Sequence, residues 1–168
     1  SGPYILEANR TLTLPKFLLT YSDKGKGQVS RNFHTWARDY CIPRGHELRS
    51  ILLNSWEGAY FNLSDQVLLD MMDGVKRIGG EMFVIDDGWF AQGEFTRNNG
   101  TSGLGDWTWN RDKLPKGLAY LVKQAKKRGL KLGLWFEPEM ANTKSQIAHD
   151  HPEWIIRGTN RALRGGRG

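Results

Sequence analysis

The sequence predicts an α/β fold of parallel strand–helix units, arranged as a partial (β/α)8 TIM barrel. Three observations lead there. From residue 50 onward, short apolar runs of strand type alternate with helical patterns, and strands joined through helices run parallel. Each run ends in polar or aromatic residues: Trp56-Glu57, Asp86-Asp87, then Trp135 and Glu137. A barrel gathers its site at the C-terminal ends of several strands, so this pattern favours a barrel over a doubly wound sheet. A doubly wound nucleotide fold would also want a glycine-rich phosphate loop after its first strand. Asn54-Ser55-Trp56-Glu57-Gly58 is not one.

The elements follow in order. Residues 4–21 hold two short strand-like runs, around Ile5-Leu6 and over 12–19, broken by Pro15. Val29, Phe33, Trp36 and Tyr40 then share the spacing of one helical stripe. Pro43-Arg44-Gly45 punctuates the chain at a boundary. Ile51-Leu52-Leu53 reads as a short buried strand. Ser64 is a good helix N-cap, and Asp65 stands in the first turn, where the helix dipole favours an acid. Val67, Met71, Met72, Val75 and Ile78 make the apolar face, and Gly79-Gly80 stops the helix. A strand over 82–85 follows. A helix over 116–128 turns Leu118, Leu121, Val122 and Ala125 inward and stops at Gly129. The third strand, 130–136, runs into Glu137-Pro138-Glu139, and a short helix near 144–150 closes before Pro152.

Between strand two and the next helix lies a polar segment, 88–114, that carries Phe95, Trp107 and Trp109. A loop of this length is usually functional. Its tryptophans either overhang a pocket or pin the loop to the rim.

Composition bounds the rest. At 168 residues the chain is long enough for one domain with a real core. Its 39% hydrophobic and 25% charged content places it among folded domains. Seven tryptophans point to a flat ligand such as carbohydrate, or to buried indoles. A single cysteine, Cys41, excludes an intramolecular disulfide. No apolar run approaches the ~20 residues of a membrane span, so no membrane partner is expected. Net charge is +6, but the basic residues are scattered. Only Arg157, Arg161, Arg164 and Arg167 cluster, among glycines. That run reads as a solvated loop rather than an RNA-binding tail, so no nucleic acid is expected either. The chain opens on Ser1-Gly2 rather than Met, which looks like a tag scar, so the native N-terminus is expected upstream. The compartment is unassigned, with the cytoplasm favoured.

Phe83-Val84-Ile85-Asp86-Asp87-Gly88-Trp89 says most about chemistry. A strand ending on two carboxylates sets acceptors at a sheet edge, and an indole adds a flat apolar wall. Carboxylates that accept from hydroxyls beside an aromatic platform suit a sugar. The plainer reading is a strand running into an acidic turn. Adjacent strand residues point to opposite faces, so the two aspartates do not flank one bond unless the backbone turns sharply. His149-Asp150-His151 has no third metal ligand at a fitting spacing and reads as surface.

Taken together, five motifs resemble glycoside hydrolase family 36, the family of microbial α-galactosidases and plant raffinose-type synthases. They are Asn54-Ser55-Trp56-Glu57 with Tyr60-Phe61, then Phe83-Val84-Ile85-Asp86-Asp87-Gly88-Trp89-Phe90, then Leu104-Gly105-Asp106-Trp107. Gly133-Leu134-Trp135-Phe136-Glu137-Pro138-Glu139-Met140 and His151-Pro152-Glu153-Trp154 complete the set. The resemblance runs from residue 12 to 157 and implies a fragment. Residues 1–22 would be the C-terminal strands of an N-terminal β-sandwich, 23–45 a linking helix and connector, and 46–168 the first, incomplete part of the catalytic barrel.

The resemblance implies a retaining α-galactosidase that releases terminal α-galactose from raffinose-type oligosaccharides, with no cofactor and no metal. Its two catalytic aspartates belong to strands four and six, beyond residue 168, so no residue here is expected to be nucleophile or acid/base. It implies that Asp86 and Asp87 bind galactose hydroxyls at carbons four and six. It also implies that Trp135 lines the sugar pocket, while Trp56 and Trp89 either join that wall or pack. Glu137 and Glu139 would be structural or lie behind the site. Arg164 or Arg167 would be the arginine that touches the sugar before strand four. Assembly into a homo-oligomer is left open. So are a raffinose-synthase-like galactosyltransferase, an α-N-acetylgalactosaminidase, and a non-catalytic galactose-binding or structural domain.

Overall fold

The computed structural model describes residues 4–156. The chain divides into two compact units, Ser1–Leu48 and Arg49–Gly168, a few residues past the boundary expected at Pro43-Arg44-Gly45.

In the first unit, helix α1 spans Gly25–Trp36 and relaxes into one π-helical turn, Ala37–Cys41. Ser22 Oγ accepts from the Lys24 N–H at 3.0 Å ahead of the helix. Asn32 Nδ2 donates to Thr20 Oγ1 at 2.8 Å and ties the preceding segment to it. The expected strands at Ile5-Leu6 and 12–19 do not form: residues 4–22 carry neither helix nor strand. A strand exists through its ladder partner, and no pairing among the described residues involves this segment.

The second unit is built on a parallel sheet of order β1-β2-β3, with β1 Leu52–Asn54, β2 Met82–Ile85 and β3 Lys131–Leu134. A single helical turn, α2 Trp56–Ala59, follows β1. Helix α3 Asp65–Arg77 joins β1 to β2, and α4 Gly117–Lys127 joins β2 to β3. A short α5, Gln146–Asp150, comes after β3. Helix α3 packs on β2, α4 on β3, and the two helices on each other. Ser64 caps α3 as expected, its Oγ accepting from the Val67 N–H at 3.2 Å.

Burial alternates along β2, as a two-residue repeat requires. Phe83 and Ile85 are fully buried, while Met82 and Val84 are half-buried. Gly133 of β3 lies against the Met82 and Val84 side, where an added Cβ would stand 2.8 Å from Met82 Cε. The core joins Phe83 and Ile85 to Leu68, Met72 and Val75 of α3 and to Leu121 and Ala125 of α4.

Three sequence expectations are corrected. The first strand is not buried: Ile51 and Leu52 are 66% and 50% exposed, because among the described residues β1 is an edge strand paired only with β2. Ile78 is exposed because it caps α3 beyond its last turn, and Leu68 takes its expected place on the apolar face. Leu118 is likewise exposed: it shares the stripe of Leu121 and Ala125 but stands in the first turn of α4, short of the buried part of that stripe.

Candidate functional site

The ends of the three strands meet at one cleft of about 410 Å³, lined by Asn54, Trp56, Glu57, Asp86, Asp87 and Trp135. Each strand contributes, because parallel strands all deliver their C-terminal residues to the same edge. Past β2 the chain turns at Gly88, whose φ of +106° suits glycine. A Cβ there would also stand 3.3 Å from Phe61 Cα.

The two aspartates follow the last residue of β2, where the chain turns, and although both line the cleft they have different partners. Asp86 is half-buried and accepts from Asn54 Nδ2 through Oδ2. Its Oδ1 accepts from the Asp87 N–H at 2.7 Å, and its own N–H donates to Ser55 Oγ at 3.0 Å. Asn54 Oδ1 also accepts from the Trp56 N–H at 2.7 Å, so one side chain orients Asp86 and the start of α2 together.

Asp87 is 3% exposed and held by Arg97, which is 1% exposed. Arg97 Nε donates to Asp87 Oδ1 at 2.8 Å and Nη2 to Oδ2 at 2.7 Å. A carboxylate leaves water at high cost unless paired and hydrogen-bonded, and the guanidinium fork supplies both. Arg97 Nη1 reaches Ser102 O at 2.8 Å and Asn142 Oδ1 at 2.9 Å.

Lys113 holds this turn from below. Its Nζ donates to Phe61 O, Gly88 O and Arg97 O at 2.9, 3.2 and 2.7 Å. Burial pushes its pKa down to about 8, partly offset by the Asp87 charge. Asp106 is also engaged: it receives the Gln146 and Ile147 N–H groups at 2.8 and 2.9 Å and caps α5.

The tryptophans separate into two groups. Trp56 and Trp135 line the cleft. Trp56 packs edge-on against Tyr60 and Phe61, with centroids 5.2 and 5.0 Å away. Trp89 does not line the cleft. It is 3% exposed, and its Nε1 donates to Trp135 O at 3.1 Å. Its ring packs against Phe90, Trp109 and Phe136, so it supports the wall from behind. Trp109 pins the long loop, pairing with Phe90 and donating from Nε1 to Leu114 O at 2.9 Å. Trp107 packs against Phe90 at 4.5 Å between centroids.

The remaining candidates lie apart. Glu139 borders a second cavity of about 450 Å³, with Trp107, Met140 and Trp154. His149 pairs with Asp150 at 2.9 Å, and His151 stacks on Trp154 at 3.9 Å. Among the described residues no cluster of three or more metal-ligating side chains forms. Arg164 and Arg167 lie outside the described residues.

Sequence reasoning passed over Arg97, Lys113 and Asn142, all in loops outside the quoted motifs. A lone arginine ten residues after a strand-end carboxylate was the one signal on offer. Asn54 and Glu57 belong to the first motif, and the structure adds both to the cleft lining.

A family model described as Melibiase matches residues 11–168. The chain belongs to the Melibiase family. Among its relatives is the bifunctional alpha-galactosidase/sucrose kinase AgaSK of Mediterraneibacter gnavus, 38% identical over 92% of this chain and 16% of its own length. Alpha-galactosidase Mel36A of Lactobacillus acidophilus is 36% identical over 90% of this chain and 20% of its own. Among solved structures, a variant of the GH36 alpha-galactosidase AgaA from Geobacillus stearothermophilus in complex with raffinose superposes with a TM-score of 0.78. It shares 36% identity and covers 87% of this chain and 20% of its own. The resemblance to family 36 is thereby borne out, and this member spans roughly a fifth of the length of the relatives it matches.

Proposed function

We propose that this Melibiase-family chain is the sugar-recognising part of a retaining α-galactosidase that removes terminal α-galactose from raffinose-type oligosaccharides. The observation that carries this reading is the cleft at the strand ends, where Asp86, Asp87 and Trp135 converge. Asp86 and Asp87 accept from hydroxyls of galactose. Trp135 buries the apolar face of the ring, with Trp56 at the entrance.

In this reading, residues 46–168 are the first part of a (β/α)8 barrel, 23–45 the linking helix and connector, and 1–22 the end of a β-sandwich. The solved alpha-galactosidases with raffinose and stachyose bound support the substrate class. Retention needs two carboxyl groups ~5–5.5 Å apart that share one glycosidic bond. Asp86 and Asp87 already have separate partners, which supports a binding role and leaves bond cleavage to aspartates elsewhere in the intact enzyme.

The test is hydrolysis of raffinose by a full-length enzyme bearing this sequence, followed by NMR of the first-formed sugar. Release of α-galactose before mutarotation is the expected result. β-Galactose would refute retention. Transfer of galactose to added sucrose in preference to water would identify a transferase, and no turnover would leave a binding module.

A further inference from the structure

We propose that Arg97 is a positioning residue for substrate selection: it fixes the plane of the Asp87 carboxylate and so decides how strictly the cleft demands a galactose hydroxyl. This rests on the reading of the cleft as a galactose site. Arg97 is absent from the cleft lining, so any effect it has on sugar passes through Asp87.

Four observations carry it. First, the fork is bidentate, at 2.8 and 2.7 Å, and two parallel hydrogen bonds define the carboxylate plane as one cannot. Second, the guanidinium is itself held. Its third arm is engaged by Ser102 O and Asn142 Oδ1. It also lies over the rings of Phe61 and Phe90, at 5.4 and 5.9 Å from their centroids. Third, Asn142 is anchored in turn, accepting from the Leu104 N–H at 3.1 Å and donating to Gly100 O at 3.2 Å. Fourth, Lys113 grips the Arg97 carbonyl at 2.7 Å, so backbone and side chain are fixed together.

The consequence is chemical. A carboxylate has about four acceptor positions. Arg97 uses one on each oxygen, and the others remain for hydroxyls at the cleft. An acceptor held in one plane cannot swing to serve a sugar whose hydroxyl is missing or inverted. A site built to bond a hydroxyl rejects the analogue lacking it, because the buried acceptor is left unpaired. Lysine would keep the charge at this position and lose the fork.

The experiment compares kcat/KM for p-nitrophenyl α-galactoside and for its 4-deoxy and 6-deoxy analogues, in a full-length enzyme bearing this sequence. Wild type, Asp87→Asn and Arg97→Lys are measured side by side. For Arg97→Lys the expected result is a fall of about tenfold or more on the galactoside. The rate on the analogue lacking the hydroxyl that Asp87 accepts should change little, so discrimination collapses. Equal slowing of all three substrates would mean a merely structural ion pair and would overturn the proposal. Asn142→Ser, which removes one of the two acceptors on Arg97 Nη1 and leaves the bidentate ion pair intact, should shift discrimination the same way by a smaller factor. An unaltered ratio in Asn142→Ser counts against the proposal even where Arg97→Lys does not fold. Asp87→Asn separates the two levels. Unchanged discrimination there refutes the galactose reading of Asp87, whereas loss of discrimination in Asp87→Asn but not in Arg97→Lys refutes only the role of Arg97.

Discussion

Asp86 and Asp87 stand side by side and differ in almost everything else. One is half-buried and oriented by an asparagine from the neighbouring strand, the other buried and clasped by an arginine from the following loop. Their adjacency and residue type were legible in the sequence, but not that both would line one cleft: the strand stops at Ile85 and the backbone turns over Asp87-Gly88. Arg97 was not, because nothing local ties a loop arginine to an aspartate ten residues earlier. Lys113 adds a pH dependence whose sign is determined. Its pKa falls from 10.5 to about 8 in the folded chain. Between these values the unfolded chain holds a proton that the folded chain has released, so this site's contribution to stability rises with pH across that window and is lowest below 8. The urea midpoint of wild type, measured from about pH 7 to pH 11, should rise relative to that of Lys113→Met across this window. Parallel curves would show that Lys113 does not titrate there.

At the scale of elements, helices α3 and α4 and strand β2 fall where periodicity and stop signals put them. Ser64 and Gly79 bracket α3 by local chemistry that needs no tertiary context. Ser64→Ala should cost about 1 kcal/mol, since the N–H of Val67 loses its acceptor. A thermal melt reads this directly, and an unchanged melting temperature would argue that the cap is redundant. Strand exposure was less legible. An apolar triplet such as Ile51-Leu52-Leu53 signals a strand but not its place in the sheet, and edge position leaves its side chains open. The tryptophans teach the same lesson. Trp89 and Trp135 stand in similar strand-end motifs, yet one is core and the other lines the cleft. Trp89→Phe should therefore act through stability and through the Trp135 carbonyl that it holds, lowering the melting temperature more than it raises KM.

For the whole molecule, the sheet of the second unit has two outer strands, β1 and β3. Among the described residues their outer edges are unpaired, and unpaired parallel edges invite association. The 168-residue chain on its own is expected to be marginally stable or to self-associate, and sedimentation across a concentration series checks this. A monomer with a sharp two-state transition would contradict it. On the proposed reading, which gives Asp86 and Asp87 a binding role and leaves bond cleavage to other aspartates, the same chain is expected to hydrolyse no aryl α-galactoside. Turnover by the pure chain would overturn that division of labour. What the sequence determined by itself was the parallel α/β class, the order of its units, the family and the carboxylates at the strand ends. These rest on periodicity, capping and short motifs, all of which act over a few residues. What only the tertiary structure decided was which partner each carboxylate takes, which indole faces the cleft and which strand is left at an edge. Those depend on contacts between residues far apart in the chain, such as Arg97 with Asn142 and Trp89 with Trp135, and no local pattern encodes them.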